Sequence, residues 1–348
     1  MAPAFFVLYV VIPNSRLRLS TLLLPMLNWI VIGIGDISTR RVIPAIQAEP
    51  RSRLCGLVTR DPAKAASYTA DTKIWTNLDA ALADGAINAV YVATPVFLHA
   101  PQTIRSLRAG KHVLCEKPMA MNEAEARSML EAAKENRRTL AVAYYRRAYP
   151  KVQRAKQLLE AGAIGKPLFA ELTCHGWFDG KAYDGHDHGR HWLVDPAKAG
   201  GGPLYDIASH RIDVLNYFFG QPQRVSAHLS NAVHHYAVED NATVMIEYGS
   251  GVRGIVDVRW NSKIKRDECR IRGTDGEMEM TPLNGPELVY PGGREDLPVH
   301  SNVHLPLIEN FVGAVEGKAE LLASGQAAFW TDCITERAIT GQASLPGS

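Results

Sequence analysis

Downstream of residue 27, short apolar runs alternate with amphipathic stretches, and the spacing changes character halfway along the chain. Ile30-Val31-Ile32 is a β-rich run that breaks at Gly33-Ile34-Gly35-Asp36-Ile37-Ser38. Residues 40–48 follow with Val42, Ile43 and Ile46 at helical spacing, closed by Pro50. Residues 53–59 read as a second strand, and Asp61-Pro62 as a helix start with Asp61 as N-cap. The pattern then repeats. Residues 89–93 form a buried-type strand ended by Thr94-Pro95, and residues 101–109 a helix stopped by Gly110. His112 to Cys115 is a strand that delivers Glu116-Lys117-Pro118 at its C-terminal end. Asn122 and Glu125 make a capping box for a helix packing through Met129, Leu130 and Ala133, and residues 140–144 supply one more strand. Strand–helix alternation of this kind predicts a parallel sheet, ending near Tyr145.

The second half predicts an α+β unit with a largely antiparallel sheet. A helix over 150–161 and a strand over 168–175 lead through a polar loop to a helix around 206–218. Alternating strands follow at 224–230, 242–248, 252–260, 268–272 and 277–281, with Gly249-Ser250-Gly251 and Gly273-Thr274-Asp275-Gly276 as hairpin turns. Helices over 307–315 and 327–339 close the chain. With no low-complexity linker, the two units are expected to be closely joined.

The length of 348 residues agrees with two domains, expected at 27–145 and 146–348. At 46% hydrophobic and 21% charged residues, the composition argues against a disordered or membrane-embedded chain. A net charge of +2 without a dense Lys/Arg patch argues against a nucleic-acid partner. Five dispersed cysteines (Cys55, Cys115, Cys174, Cys269, Cys333) give neither a disulfide framework nor a zinc pattern and point to a reducing, cytoplasmic setting. Residues 1–26 fit neither a bilayer span, which needs about 20 apolar residues, nor a secretory signal with a small-residue cleavage site. They read as a non-native or disordered extension upstream of a true start at Met26.

The first glycine turn has the form of a dinucleotide-binding βαβ unit. Gly33 allows the turn, Gly35 lets a pyrophosphate approach, and the amides of Asp36 and Ile37 open a helix that faces the anion. Ser38 replaces the third glycine. At the end of the second strand, where an acidic residue would bind a ribose 2′-hydroxyl, Thr59-Arg60 instead suits a 2′-phosphate, so NADP is expected with NAD as the alternative. In the second half, Gly200-Gly201-Gly202 reads as a flexible turn feeding a helix on which Asp206, His210 and Asp213 share a face. A carboxylate beside an imidazole would orient it and hold its pKa near neutrality, while Lys117 can polarise a substrate oxygen. The stretch from Asp184 to Trp192, with His186, His188 and His191, resembles a metal loop, but a loop over a substrate cleft fits better and no metal is expected.

Taken in order, these segments resemble the glucose-fructose oxidoreductase/inositol dehydrogenase/MocA family over about residues 28–341. The resemblance rests on the glycine turn, Ala93-Thr94-Pro95 with His99, the Ala109-to-Pro118 segment and the glycine-to-Asp213 segment. It implies a Rossmann nucleotide-binding domain followed by an α+β domain with a large, mostly antiparallel open sheet. It also implies an NAD(P)-dependent oxidoreductase acting on a sugar, polyol or cyclitol, assembled as a homodimer or homotetramer through the C-terminal sheet. Carried to matching positions, Lys117 contacts nicotinamide and substrate, Asp206 orients the substrate, and His210 is the general acid/base. Thr94, Pro95, His99 and Glu116 join the glycine turn, Thr59 and Arg60 as expected cofactor contacts; Tyr145 and Arg146, where the chain enters the second domain, are expected to line the substrate cleft, and the loop reading adds His191 or Trp192 as a sugar contact. The family further implies a cis Lys117-Pro118 bond. Val96, where asparagine is frequent, removes one polar contact near the nicotinamide ribose. A glycoside hydrolase of the same fold using NAD transiently, and a non-catalytic nucleotide-sensing protein, stand as rival functions.

Overall fold

The computed structural model describes residues 26–68, 71–179, 190–341 and 343–346. The N-terminal extension and the loop bearing Asp184, His186 and His188 lie outside the described residues.

Six parallel strands build the first sheet: β1 (Leu27–Ile32), β2 (Ser52–Val58), β3 (Lys73–Trp75), β4 (Ala89–Val92), β5 (His112–Cys115) and β6 (Leu140–Val142), in the order β3-β2-β1-β4-β5-β6. The intervening helices are α1 (Ile43–Ala48), α2 (Leu78–Leu82), α3 (His99–Arg108) and α4 (Glu123–Glu135). Strands β1 and β4 are buried on both faces, which is why they read as unbroken apolar runs. The expected helix start at Asn122 holds: its side chain accepts from the Glu125 amide at 2.9 Å. Glu125 in turn accepts from the Met121 amide. Asp61 likewise caps a short 3₁₀ turn over Pro62–Ala65. Strand β3 and helix α2 escape the apolar pattern because each is one turn or three residues long and gains its order from pairing with β2 and burial of Leu78, Ala81 and Leu82.

The second half contains α5 (Pro150–Glu160), β7 (Pro167–Trp177), α6 (Pro196–Ala199), α7 (Ser209–Phe219) and the strands β8 (Pro222–Ser230), β9 (Asn241–Tyr248), β10 (Arg253–Arg259), β11 (Asn261–Gly273), β12 (Glu277–Glu279), β13 (Glu287–Tyr290) and β14 (Gly293–Asp296). The eight-stranded sheet runs β14-β13-β12-β11-β7-β10-β9-β8 and is antiparallel except at β7–β10. One face buries Leu172, Val244, Ile246, Val256, Val258, Cys269 and Ile271. The other carries a ladder of charges, including Arg270–Glu279, Arg272–Glu277 and His175–Asp257. The two-part architecture therefore follows the expected fold class, with β13 and β14 added as a short hairpin at the sheet edge.

The last two helices return to the nucleotide half. Helix α8 (Leu305–Val315) packs on α1, and α9 (Gly325–Thr340) packs on α4, α7 and β6. Arg41 donates to the Ser301 carbonyl and Asn302 to the Arg41 carbonyl, so the segment before α8 is tied to the helical segment after β1. Among the described residues, no helix is long and apolar enough to cross a membrane.

Candidate active site

The C-terminal ends of β1, β2, β4 and β5 form one edge, where open α/β sheets bind ligands. At the end of β1, Gly33 has φ +95° and an added Cβ would lie 2.6 Å from the Ala93 carbonyl, so the turn requires glycine. Gly35 faces open space. The helix beginning at Asp36 presents first-turn amides that lack intrahelical acceptors. Ser38 is buried and closes the turn on itself, accepting from the Gly35 amide at 2.8 Å and donating to the Gly35 carbonyl at 2.9 Å. The cradle fits a dinucleotide pyrophosphate: a tight turn, an open approach and unbonded amides.

Arg60 is exposed at the end of β2, and none of the described residues pairs with it. The Thr59 hydroxyl is already engaged with the backbone of Asp61. Thr94 and Pro95 end β4, with the Thr94 hydroxyl on Gln102. His99 stands differently from the expected cofactor contact. It is 1% exposed, and its two ring nitrogens lie 2.8 Å from the carbonyls of Pro118 and Thr94, so the ring fixes the two loop ends rather than facing the cleft. The Lys117-Pro118 bond is cis.

Glu116 is buried and receives hydrogen bonds from the Tyr91 hydroxyl (2.7 Å), His304 Nε2 (3.2 Å) and the Lys117 amide (3.2 Å). Burial alone would raise its pKa, but His304, Tyr91 and the Lys117 charge hold the carboxylate below its usual range. Lys117 then reaches across to the second half, where its Nζ donates to the Asp206 carbonyl at 2.7 Å and to Asp206 Oδ1 at 3.0 Å. This ion pair joins the end of β5 to the second half.

Asp206 sits in a wide π-helical turn, Leu204–Ala208, that precedes α7, not in the regular α-helix expected. The glycine turn before it is tightly packed instead of loose. A Cβ on Gly200 (φ +87°) would overlap the Tyr205 ring, and one on Gly202 would overlap the Glu239 carbonyl. Glu239 Oε1 accepts from the Gly202 amide at 2.9 Å and the Leu204 amide at 3.0 Å, capping the turn from β9's leading loop. The Tyr205 hydroxyl donates to the Met121 carbonyl at 2.9 Å. Residues 205 and 206 thus grip both sides of the Lys117–Met121 segment.

His210 follows on α7 at 6% exposure, with Nδ1 buried and unpartnered. Its ring lies edge-on to Tyr145 (4.9 Å between centroids) and Tyr144 (5.8 Å). Burial, then Arg146, Lys117, Arg211 and His304, push its pKa well below the usual 6.5. This corrects the expectation of a carboxylate holding it near neutrality: the Asp206 carboxylate is engaged by Lys117, and cations dominate around the imidazole. Asp213 leaves the site altogether, forming a buried two-point pair with Arg147 at 2.8 and 2.7 Å. Among the described residues no group of His, Cys, Asp or Glu could hold a metal ion.

Of the expected substrate residues, Tyr145 packs on His210, and the Arg146 guanidinium lies 5.0 Å from the Tyr145 ring. Trp192 joins a small cluster with Phe178, Leu193, Val238 and Trp260 that also receives Ile207, the neighbour of Asp206. His191 is exposed. Sequence reasoning missed His304, Glu239, Arg211, Asp267 and Asn284. Only Glu239 had a signal: three consecutive glycines expose amides that need an acceptor, but nothing local says which carboxylate returns to supply it.

Two family models match the chain in succession: an oxidoreductase family with an NAD-binding Rossmann fold over residues 27–144, and a GFO/IDH/MocA C-terminal domain over 152–279. The chain belongs to the GFO/IDH/MocA family. It carries that family's NAD-binding Rossmann domain and is one of its oxidoreductases. Among its relatives, 1,5-anhydro-D-fructose reductase of Ensifer adhaerens is 28% identical over 92% of this chain and 98% of the relative. D-xylose 1-dehydrogenase (NADP(+)) 2 of Haloferax volcanii is 29% identical over 72% of this chain and 75% of its own length. Aldose-aldose oxidoreductase from Caulobacter crescentus, solved with glycerol, superposes with a TM-score of 0.80 at 26% identity, covering 92% of this chain and 99% of that one.

Proposed function

We propose that this family member transfers a hydride between nicotinamide and a carbinol or carbonyl carbon of a sugar, polyol or cyclitol, with NADP preferred over NAD. The observation that carries the reading is the Lys117–Asp206 pair, which joins the ligand-binding edge of the parallel sheet to the helix bearing His210. Bound nicotinamide supplies the hydride acceptor or donor. Gly33, Gly35 and the amides of Asp36 and Ile37 hold the pyrophosphate, and Arg60 reads the 2′-phosphate. Lys117 polarises the substrate oxygen. His210, neutral at physiological pH because of its burial and, after that, its cationic surroundings, takes the hydroxyl proton during oxidation, and its exposed side presents Nε2 because Nδ1 is buried. Tyr145, Arg146, His191 and Trp192 bound the substrate. Reductase and dehydrogenase activities on sugars among the relatives support the substrate class.

Residues 27–145 serve as the nucleotide domain and the remainder as the substrate domain. The charged outer face of the eight-stranded sheet, with Met245 exposed on it, suits assembly into a homodimer or homotetramer. A panel of aldoses, polyols and inositols with each cofactor tests the activity through nicotinamide absorbance. Absence of cofactor reduction or oxidation across that panel rejects the reading, and light scattering that gives a monomer rejects the assembly.

A further inference from the structure

Three Lys or Arg side chains act on His210, and two of them have a carboxylate. Lys117 pairs with Asp206 at 3.0 Å and Arg211 with Asp267 at 2.7 Å. Arg146 has none. Its Nε donates to the neutral Asn284 Oδ1 at 3.2 Å, its guanidinium lies against the Tyr145 ring, and its Nη1 is buried without an acceptor. The residue is only 7% exposed. The nearby carboxylate of Asp267 is already held by Arg211 and by Asn284. A guanidinium taken out of water without a counter-ion costs several kcal/mol, so this cation is stored for a partner that arrives with the ligand.

We infer that Arg146 binds a carboxylate on the substrate, so that the preferred substrates are acidic sugars, uronates or aldonates, rather than neutral ones. The inference rests on the oxidoreductase reading above and narrows it. With Nε committed to Asn284, the Nη side of the fork remains for a planar carboxylate, a geometry that favours charge-assisted pairing. Tyr145 touches both Arg146 and His210, which puts the anion site within one sugar of the proton acceptor. An anion there would also offset one of the cations acting on His210.

The test compares D-glucuronate and D-galacturonate with D-glucose, D-galactose and D-glucose 6-phosphate, with both cofactors, in wild type, Arg146→Met and Arg146→Lys. The expected acid-to-neutral ratio in kcat/KM is about 10–100-fold in wild type, near unity in Arg146→Met and partly restored in Arg146→Lys. Melting of the ligand-free proteins provides a readout that needs no turnover. Arg146→Met should melt at or above the wild-type temperature, and D-glucuronate should raise the wild-type melting point in the NADPH-loaded protein but not that of the variant. Oxidation of neutral sugars without an acid preference, or a preference confined to the phosphate, overturns the inference and leaves the oxidoreductase reading standing. So does an Arg146→Met protein that melts lower with an unchanged ratio, since Arg146 is then a framework cation. Stabilisation by glucuronate through Arg146 without nicotinamide turnover keeps the anion site and rejects the oxidoreductase reading.

Discussion

Glu239→Ala removes the carboxylate oxygen that accepts from both the Gly202 and Leu204 amides. Both residues are buried, so the freed amides are not simply rehydrated. Each stranded donor costs about 1–3 kcal/mol, giving about 2–6 kcal/mol for the pair. Part of this returns, because burial raises the Glu239 pKa and the charge itself is therefore unfavourable in the fold. A net loss of about 2–4 kcal/mol is expected in urea unfolding. Catalysis should suffer as well, since Asp206 lies two residues beyond Leu204 and a shift of about 1 Å in a reacting group costs about 100-fold. The expected fall in kcat is about 10–100-fold with cofactor affinity unchanged, because the glycine cradle is closed by Gly35 and Ser38 and not by this turn. Glu239→Gln keeps an acceptor and should stay within about 1 kcal/mol of wild type. The sign with pH follows from the raised pKa: the stability that Glu239 contributes is complete below its unfolded value near 4.5 and declines as pH rises through the folded one, so the Gln variant gains on wild type with rising pH. A Glu239→Ala protein with wild-type midpoint and kcat would refute the capping argument.

Four further outcomes are open to measurement. Because the His210 pKa lies well below 6.5, alcohol oxidation should be flat through neutrality and fall only at acid pH, with that limb absent in His210→Ala; a step near pH 7 contradicts the buried, cationic environment described. Neutral His210 also makes stability rise with pH up to about 6.5 in wild type, visible as a loss of this slope in the same variant. Arg60→Ala should weaken NADP binding by about 1.5–3 kcal/mol and NAD much less, and equal losses in fluorescence titrations exclude a phosphate contact. Asp213→Ala strands the buried Arg147 and should cost about 3–5 kcal/mol in unfolding, against less than 1 kcal/mol for an exposed pair such as Arg40–Asp36.

Much of the framework was legible in the chain because it depends on local chemistry. The apolar runs of β1 and β4, the Asn122 and Asp61 caps and the glycine at φ +95° are each dictated by a few neighbouring residues. Spacing also placed Lys117 at a strand end and set Asp206 and His210 about one turn apart. Which side chains answer one another was decided only in three dimensions. Asp206 lies 89 residues from Lys117 and was expected to serve His210, yet it is engaged by that lysine. Asp213 was placed on the same helical face and is withdrawn by Arg147. His304 and Glu239 act through contacts spanning 188 and 35 to 37 residues, distances over which periodicity carries no information. The protonation behaviour of His210 is likewise a tertiary property, because a pKa is set by burial and by the sum of nearby charges, and both are assembled from distant parts of the chain.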